Sequence, residues 1–571
     1  RPKTQDLKVY EWTDNITWIK GSHINKFGVK IRRWVPLFTD SKQYQGQWAF
    51  NGSNTQNPAS PTGTGSAFAD FLLGLPRSVV RAYPADTFGG YATYWHFYYQ
   101  DDLKVNSRLS LNMGLRYEYS PWLSGYRGQV GTFDPTSPRP VIIASNSDQI
   151  DLNAQFAAPA AYALFKDVIQ TSSQAGLPIA VTAPDKRQFA PRFGFAWRPF
   201  GERTIVRGGY GIFYEAESST DRVNNFMIPF KLDQTVFNDQ PIPVRTMADP
   251  FLGQALVNSA APSLNPAYAE ASMGSDQHWN FGIQQELTAS TVLEVDYVGN
   301  KGTHLAGTTA INDPPAGPGA IQSRRPYPRF GTIAYLSQDV SSIYHALQAK
   351  LERRLSGGAW YVVSYTFSKN IQTANAPAVG DNAVWERALT DFDIPHNLAV
   401  SFGYELPFGR GKRLLGNRGG LVNAVLGGWQ TQAILVVRSG RPFTPTISAD
   451  RANTGVGGQR PNRIGSGKLD NPTPEKWFDV SAFVSPAQFT YGNSGANILR
   501  EDRYKSLDFS VFKQFRITEN STLQFRAEAF NLTNTPSFAI PVTTIDTSSA
   551  GRVTSTFSTP RQIQFALKYN F

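Results

Sequence analysis

The segment LSLNMGLRYEY, Leu109–Tyr119, decides the fold class because it alternates strictly between two kinds of side chain. Every odd-numbered position is apolar or aromatic, and every even-numbered position is polar, charged or glycine. Successive side chains of a β-strand point to opposite faces, so one face of this segment is apolar and the other is polar. A strand of this length matches what is needed to cross a bilayer at a tilt, about 9–11 residues.

The same alternation recurs along the chain, for example in His278–Leu287, Asn397–Leu406 and Gln562–Phe571. It predicts about fifteen strands. They are expected at 9–19, 23–33, 91–101, 109–119, 189–198, 204–214, 277–287, 291–299, 343–355, 359–369, 396–406, 428–438, 507–515, 522–531 and 562–571.

Short and long connections alternate between these strands. The short ones include 20–22, 199–203, 288–290, 356–358, a turn beginning at Pro407, and 516–521. The long ones are 34–90, 120–188, 215–276, 300–342, 370–395, 439–506 and 532–560. Outer-membrane barrels have tight periplasmic turns and long extracellular loops. The sequence therefore predicts an all-β fold, a transmembrane antiparallel up-and-down β-barrel with its last residue on the periplasmic side.

The strand count carries a further expectation about domain organisation. Single-chain bacterial barrels have even strand numbers, and strand 9–19 runs inward, so an outward strand is expected to precede it. We expect residues 1–571 to form one partial barrel domain, truncated at its N-terminal side, with about 15–16 strands visible.

The composition excludes several other classes. Aromatic residues make up 13% of the chain and charged residues 17%, and there is no cysteine, so disulfides and cysteine-based sites are excluded. The longest apolar run, Phe156–Phe165, is interrupted by Pro159 and is too short for a transmembrane helix. The net charge of +11 is spread singly over the chain without a binding module, which argues against a nucleic-acid partner.

Aromatic residues cluster at the ends of the predicted strands. Tyr and Trp favour the membrane–water boundary because each joins an apolar ring to a polar tip. We expect this position for Tyr91, Trp95, Tyr99, Tyr117, Tyr119, Tyr214 and Tyr404. A soluble aromatic core is the alternative, and coincidence with alternating strands favours the membrane boundary.

Motifs that suggest chemistry have structural explanations. Gly208–Gly211 lies inside a predicted strand and opens no helix, so it is no dinucleotide loop, and its glycines would let bulky groups approach the wall. The six histidines lack metal-ligand spacing. Asp391, Asp393 and His396 fall close together where a loop re-enters the barrel, and the favoured interpretation is solvated rim residues, with a catalytic or metal role as the alternative.

Two pairs of charged residues are expected on the polar face of the wall, Lys350 with Glu352 and Arg526 with Glu528. They would form salt bridges within the wall or contact a plug domain. No nucleophile–base grouping is visible, so we expect neither an enzyme nor a bound cofactor or metal.

Several longer motifs carry a family resemblance. The chain resembles the barrel of Oar-like TonB-dependent transporters, a family abundant in Acidobacteria. The motifs that carry the resemblance are DFLLGLP (70–76), APRFGFAWRP (190–199), RGGYGIFY (207–214), YHALQ (344–348), DFDIPH (391–396), YELPFGRGK (404–412) and FRAEAFNL (525–532). The resemblance implies a 22-stranded barrel preceded by a plug and an N-terminal carboxypeptidase-regulatory-like domain. Those parts and the TonB box are missing from this chain.

The resemblance also bears on assembly. The chain ends in a pattern similar to the C-terminal signal read by the barrel-assembly machinery. The residues concerned are Phe565, Leu567, Tyr569 and Phe571.

The function expected from these features is uptake of a bulky solute through a plugged barrel, energised by the inner-membrane TonB complex. The alternative is a surface adhesion or assembly protein whose extracellular loops bind other partners. Expected partners are outer-membrane lipid and lipopolysaccharide, the barrel-assembly machinery, the TonB complex through the missing N-terminal region, and an extracellular ligand. The sequence does not identify the substrate, because loops vary freely.

Overall fold

The computed structural model describes residues 3–40, 46–57, 64–83, 87–125, 130–135, 141–145, 166–215, 232–238, 245–250, 261, 263–264, 272–375, 385–417 and 419–571. The apolar run Phe156–Phe165 lies outside the described residues. None of the helices within these ranges is both long and apolar enough to span a bilayer.

One large antiparallel sheet dominates the structure. Its fifteen long strands are β1 (Lys3–Lys20), β2 (His23–Asp40), β3 (Thr87–Lys104), β4 (Leu109–Tyr119), β5 (Phe189–Trp197), β6 (Thr204–Tyr214), β7 (Ser275–Thr288), β8 (Thr291–Ala310), β9 (Ala334–Ser356), β10 (Ala359–Asn375), β11 (His396–Glu405), β12 (Trp429–Arg438), β13 (Tyr504–Arg516), β14 (Thr522–Phe530) and β15 (Gln562–Asn570).

Each of these strands pairs with the next one along the chain, from β1 through to β15. This order confirms the predicted up-and-down topology and all fifteen predicted strands. Among the described residues, β1 pairs only with β2 and β15 only with β14.

The tight turns lie on one side of the sheet and the long connections on the other. Gly21 turns β1 into β2 with φ of 60°, and Gly357 and Gly358 turn β9 into β10 with φ of 61° and 80°. Glycine adopts these angles without the steric penalty of a Cβ atom. The connection that begins at Pro407 is longer than the other turns on this side. The described residues 406–417 and 419–428 connect β11 to β12 and include the helix Gly420–Leu426. Alternation identifies the strands on either side but does not predict the structure of the connection between them.

Several strands continue beyond their predicted ends on the loop side. β8 reaches Ala310 and β9 begins at Ala334, whereas the sequence predicted 291–299 and 343–355. The backbone ladder continues past the alternating segments, with register shifts between Gly302 and Gly307.

Register pairing separates the side chains into two faces, since paired residues of neighbouring strands point the same way. One row consists of Phe281, Tyr297, Leu347 and Phe367, whose side chains are 41–50% exposed. The adjacent row on the other side consists of Gly282, Asp296, Gln348 and Thr366. We call these the apolar face and the polar face of the sheet.

The buried apolar cores lie under the loops rather than in the sheet. One contains Phe133, Ile142, Val168, Leu264, Phe330 and Ile333. The second contains Phe443, Phe478, Ala482, Phe483 and Leu499.

The loop side carries small elements of secondary structure. Its helices are Ala67–Leu72, Lys166–Val168, Ile321–Arg324 and Val480–Ala482. Its short strands are Gln47–Ala49, Ser78–Tyr83, Ser124–Gly125, Gly131–Asp134, Val141–Ala144, Ile169–Thr171, Leu232–Phe237, Trp385–Leu389, Pro442–Phe443, Asn462–Arg463, Phe483–Val484 and Leu499–Arg500.

The assignment of the two faces is testable because the chain has no native cysteine to give background labelling. Gln348 lies on the polar face and its neighbour Leu347 on the apolar face of β9. In lipid vesicles, a water-soluble maleimide is expected to label Gln348→Cys and to leave Leu347→Cys unlabelled, with both variants labelled equally after denaturation. Equal labelling of the two folded variants would contradict the assignment.

Candidate functional site

The polar face of the sheet is lined with ion pairs between side chains on the same or adjacent strands. Lys26 on β2 contacts Asp102 on β3 at 2.7 Å, and Arg116 contacts Glu118 on β4 at 2.5 Å. Because each of these positive side chains lies beside a negative one, the face stays polar while the charges of each pair largely offset one another.

Both predicted wall pairs are present. Lys350 lies 2.6 Å from Glu352, and Arg526 lies 3.5 Å from Glu528. Each pair is two residues apart on one strand, and side chains at that spacing share a face.

A cavity of about 440 Å³ lies against the polar face of β2 to β5. Its polar lining comes from Lys26, Gln100, Asn112, Arg116 and Arg192. Arg192 forms no ion pair with the described residues and instead lies over a Phe213 ring, 4.5 Å from guanidinium carbon to ring centroid. The cavity therefore presents several hydrogen-bond donors and one cation without a carboxylate partner.

Glycines let polar side chains lie flat on this wall. A Cβ atom on Gly28 would meet the Tyr98 ring at 2.1 Å, because that ring crosses Gly28 to donate a hydrogen bond of 2.8 Å to Asn15. The close approach supports the sequence-based interpretation that glycines allow bulky groups near the wall. Gly208–Gly211 lies inside β6, as predicted, so it forms no phosphate-binding loop.

Above the cavity, three buried polar atoms have no hydrogen-bond partner among the described residues: Arg32 Nε, Tyr94 Oη and His96 Nδ1. The last of these has a weaker polar contact, since His96 Nδ1 lies 3.8 Å from the Glu118 carboxylate. Arg32 and Tyr94 are register partners on β2 and β3, and His96 is the next residue on the same face. Buried polar groups are normally hydrogen-bonded, so this cluster has unused capacity to bind a further molecule or segment. Sequence reasoning missed it, because only the register brings these three residues together.

The predicted cluster of Asp391, Asp393 and His396 is divided by the structure. Asp393 is 1% exposed and pairs with Arg500 at 2.5 Å, so its assignment as a solvated rim residue was wrong. Asp391 accepts a hydrogen bond of 2.8 Å from the Asn497 side chain. His396 contacts the Tyr365 hydroxyl at 2.8 Å on the opposite, apolar face.

Asp391, Asp393, Asn497 and Arg500 form what we call the loop clamp. Arg500 also donates hydrogen bonds to the carbonyls of Asp393 and Gly440, each 3.0 Å long. The clamp fastens loop 439–503 to the segment that precedes β11. Within the described ranges, no group of three or more His, Asp and Glu residues is arranged to hold a metal ion.

A neighbouring pair strengthens the same loop. Arg441 donates to the two carboxylate oxygens of Glu501 at 2.7 and 3.2 Å, a bidentate geometry. This hydrogen bonding raises the pKa of Arg441 further above its ordinary value.

The seven aromatic residues predicted at the membrane boundary all lie on the apolar face. Tyr91, Tyr119 and Tyr214 are at the loop ends of their strands and Tyr404 at a turn end, with Trp95, Tyr99 and Tyr117 between. The Arg33 guanidinium lies 4.2 Å from the Tyr91 ring centroid. Their contact with a membrane boundary stays a prediction.

Three predicted assembly-signal residues, Phe565, Leu567 and Tyr569, share the face of β15 that continues the apolar face of β14, and Phe571 directly follows the strand. Phe565 is 71% exposed, Leu567 69%, Tyr569 55% and Phe571 96%. Their recognition by the assembly machinery stays a prediction.

Comparisons with known proteins bear on this geometry. A family model described as an outer membrane beta barrel domain matches residues 1–564. The chain belongs to this outer membrane beta barrel family. It is therefore a multi-pass β-barrel domain of the outer membrane, and the polar face lines the barrel lumen whereas the apolar face meets lipid.

One solved structure of an outer-membrane transporter shares the barrel's fold, and a receptor structure aligns with a lower score. The outer membrane transporter YddB from Escherichia coli matches with a TM-score of 0.52 and 11% identity, over 100% of this chain and 55% of that protein. The ferripyoverdine receptor of Pseudomonas aeruginosa matches with a TM-score of 0.46 and 9% identity, over 100% and 49%. The barrel chain thus spans about half the length of these structures. No curated protein matches its sequence.

The loop clamp gives a prediction about local stability. Asp393→Asn removes the charge that Arg500 neutralises. Breaking this mostly buried ion pair should lower the free energy of opening the loop by about 2 kcal/mol, so that the open loop is more populated. Hydrogen–deuterium exchange over residues 439–503 would measure this. Glu475→Gln, an exposed carboxylate in the same loop, serves as the control. Equal protection in both variants would mean that the clamp does not hold the loop.

A second ion pair predicts pH dependence on the loop side. Arg329 donates to Asp167 at 2.6 Å, and this hydrogen bond holds the pKa of Asp167 below its ordinary value. A carboxyl with a lowered pKa stabilises the folded state above its ordinary pKa of about 4, and that contribution is lost as the pH falls through the lowered value.

Arg329→Gln should therefore weaken the protection of backbone amides near Phe330 from hydrogen–deuterium exchange at pH 7. At a pH low enough to protonate Asp167 in the wild type, the substitution should have no effect. The measurement compares wild type and variant at each pH, with Lys186→Gln as a control of equal charge. A difference that persists at acidic pH would show that Arg329 acts by packing alone.

Proposed function

We propose that this barrel is the wall of a TonB-dependent outer-membrane transporter that takes up a bulky solute. The observation that carries the proposal is the lumen wall, which contains a cavity of about 440 Å³ lined in part by Arg192. Above it, the buried atoms Arg32 Nε and Tyr94 Oη have no hydrogen-bond partner among the described residues. Such a wall suits a hydrated solute or a polar luminal segment, since either would satisfy these groups.

The fold shared with the YddB transporter supports the proposal, as does the resemblance to Oar-like transporters. Large outer-membrane transporter barrels carry a plugged lumen. In the whole protein, a plug would occupy the lumen and the TonB complex would move it. The extracellular loops, held by their own cores and by the loop clamp, would capture the ligand.

We also propose that the whole protein closes the barrel with further strands. β1 and β15 both run from the loop side to the turn side, because fifteen consecutive antiparallel strands begin and end in the same direction. Pairing them directly would place two parallel strands side by side. An odd number of additional strands restores antiparallel pairing and gives the even total typical of single-chain bacterial barrels.

Uptake in living cells tests the transport proposal. Cells with the gene deleted are compared with wild type for uptake of ferric siderophores, cobalamin and oligosaccharides. We expect uptake of one probe class to fall to background and to return with the gene. Uptake of the same probe should also be lost when the TonB complex is deleted.

The alternative, a surface adhesion or assembly protein, rests on the large share of the chain in loops. It predicts normal uptake of every probe in the deletion strain together with lost attachment to cells or matrix. That outcome would overturn the transport proposal.

A further inference from the structure

A continuous row of register partners crosses the lumen side of the wall from β3 to β10. Each member pairs with the next one on the neighbouring strand. Because register partners point the same way, all of them face the lumen. We call this set the luminal row, and it consists of Gln100, Arg192, His278, Asn300, Tyr344 and Asn370, with one glycine on β4 and one on β6.

The luminal row climbs from the turn side toward the loop side as it passes around the wall. Lys26, which extends the row onto β2 by pairing with Gln100, lies three residues from His23 at the turn end of that strand. Asn370 lies eleven residues from Ala359 at the turn end of β10. Eight further residues of a strand tilted by about 35–45° correspond to roughly 20 Å of height. The row is therefore an oblique path along the lumen rather than a ring at one level.

Neighbouring members of the row contact one another through an aromatic ring. The Arg192 guanidinium lies 4.5 Å from the centroid of the exposed Phe213 ring. The Phe213 ring meets the His278 ring edge to face, with centroids 5.1 Å apart. Asn300 Nδ2 lies 3.0 Å from His278 Nε2. Four strands thus present one connected surface of planar side chains.

The charge of the row is positive because it contains no acidic residue. Asp102, the carboxylate below its β3 end, accepts hydrogen bonds of 2.7 Å from each of three side chains, those of Lys26, Gln100 and Asn112. Its charge is therefore already offset by Lys26. Arg192, which forms no ion pair within the described part of the chain, remains available to an anionic group from outside.

The wall beside Arg192 is hollow. Gly114, its register partner on β4, and Gly194 on its own strand both line the cavity of about 440 Å³. Glycine leaves the backbone uncovered at these positions, so a ligand can approach the wall closely beside the guanidinium. Both charge and space for a ligand thus occur at the same point of the row.

We propose that the luminal row is the track along which an extended acidic oligosaccharide passes, an inference that rests on the proposed uptake function. Neighbouring strands are about 4.8 Å apart, so the row offers polar groups at an interval close to the length of one sugar residue. A compact solute would contact only a few members of such a row, whereas an extended chain can contact many.

Each kind of side chain in the row suits one part of this ligand. The amides of Asn300 and Asn370 and the hydroxyl of Tyr344 pair with sugar hydroxyl groups. The aromatic rings pack against sugar C–H groups, and Arg192 pairs with a carboxylate through two parallel hydrogen bonds. A row of repeated polar groups with a cation therefore favours a uronate-containing chain over a neutral one.

Uptake by living cells that produce the whole protein tests the inference. The probes are a fluorescently labelled oligogalacturonate, its methyl ester, which keeps the hydroxyl groups but loses the charge, and ferric citrate as a compact polyhydroxylated anion. The first variant is Arg192→Gln. Its control is Lys568→Gln, which removes an equal charge from the same face of β15, outside the row.

Wild type and Lys568→Gln are expected to take up the oligogalacturonate, and Arg192→Gln should do so about tenfold less well, because a charge-assisted hydrogen bond is lost. The methyl ester should enter wild type weakly and Arg192→Gln equally weakly. Equal uptake of the oligogalacturonate by Arg192→Gln and Lys568→Gln would contradict the role of Arg192.

A second pair of variants tests the neutral part of the track. Asn300→Leu combined with Asn370→Leu should reduce uptake of both the oligogalacturonate and its ester. Gln348→Leu combined with Thr366→Val changes the same face nearer the turns and should not. Equal amounts of each variant in isolated outer membranes show that transport and not assembly is compared.

The probes separate this inference from the function on which it rests. Uptake of ferric citrate without uptake of either saccharide would overturn the oligosaccharide track and leave the transport proposal intact. Uptake of none of the probes named here or of those used to test transport would contradict both.

Discussion

The need to satisfy every backbone N–H and C=O group inside the hydrocarbon layer shapes this whole molecule. No water is available there, so a strand can cross only if both its edges are hydrogen-bonded to neighbours. The unbroken series of antiparallel pairings from β1 to β15 meets that requirement for all internal strands. Neighbouring strands that run in opposite directions need only a tight turn between them, which is why Gly21 and Gly357–Gly358 suffice on one side.

Because the backbone hydrogen bonds are made between neighbouring strands, the side chains are free to separate into an apolar set facing lipid and a polar set facing the lumen. Phe281 and Leu347 stay exposed on the lipid face, where exposure to acyl chains carries no hydrophobic penalty. The apolar cores that a soluble protein would place in its sheet lie instead under the loops, around Phe133 and Phe478. The loops are therefore packed and clamped units with their own stability. The shape of the loops can therefore differ without disturbing the wall.

Much of the wall could be predicted from sequence because its signal is local. Leu109–Tyr119 reveals its two faces within eleven residues, and the predicted pairs Lys350–Glu352 and Arg526–Glu528 are only two residues apart. The loop clamp could not be found this way. Arg500 and Asp393 are over a hundred residues apart, and nothing in a loop's local pattern specifies its partner.

The same reasoning explains the two partial misses in the wall. The strands β8 and β9 extend past their predicted ends because alternation reports the solvent on each face and not the hydrogen bonding of the backbone. The cluster of Arg32, Tyr94 and His96 depends on the register between β2 and β3. Alternation does not determine that register, because a shift by two residues keeps every side chain on the same face.

Within the part of the chain that the structure describes, β1 and β15 each have one edge without a pairing strand, and these edges show why a closed wall is the physically consistent form of this sheet. β1 exposes Trp12 and Ile16 at 59% and 63%, and β15 exposes Ile563 and Phe565 at 63% and 71%. An edge that combines apolar side chains with unpaired backbone groups attracts other strands and is costly in lipid. Because β1 and β15 run in the same direction, they cannot satisfy one another in an antiparallel barrel. The strands proposed to lie between them would continue both faces, apolar toward lipid and polar toward the lumen. The need to hydrogen-bond every backbone group in the hydrocarbon layer thus explains both the series of paired strands within the chain and the further strand that each edge requires.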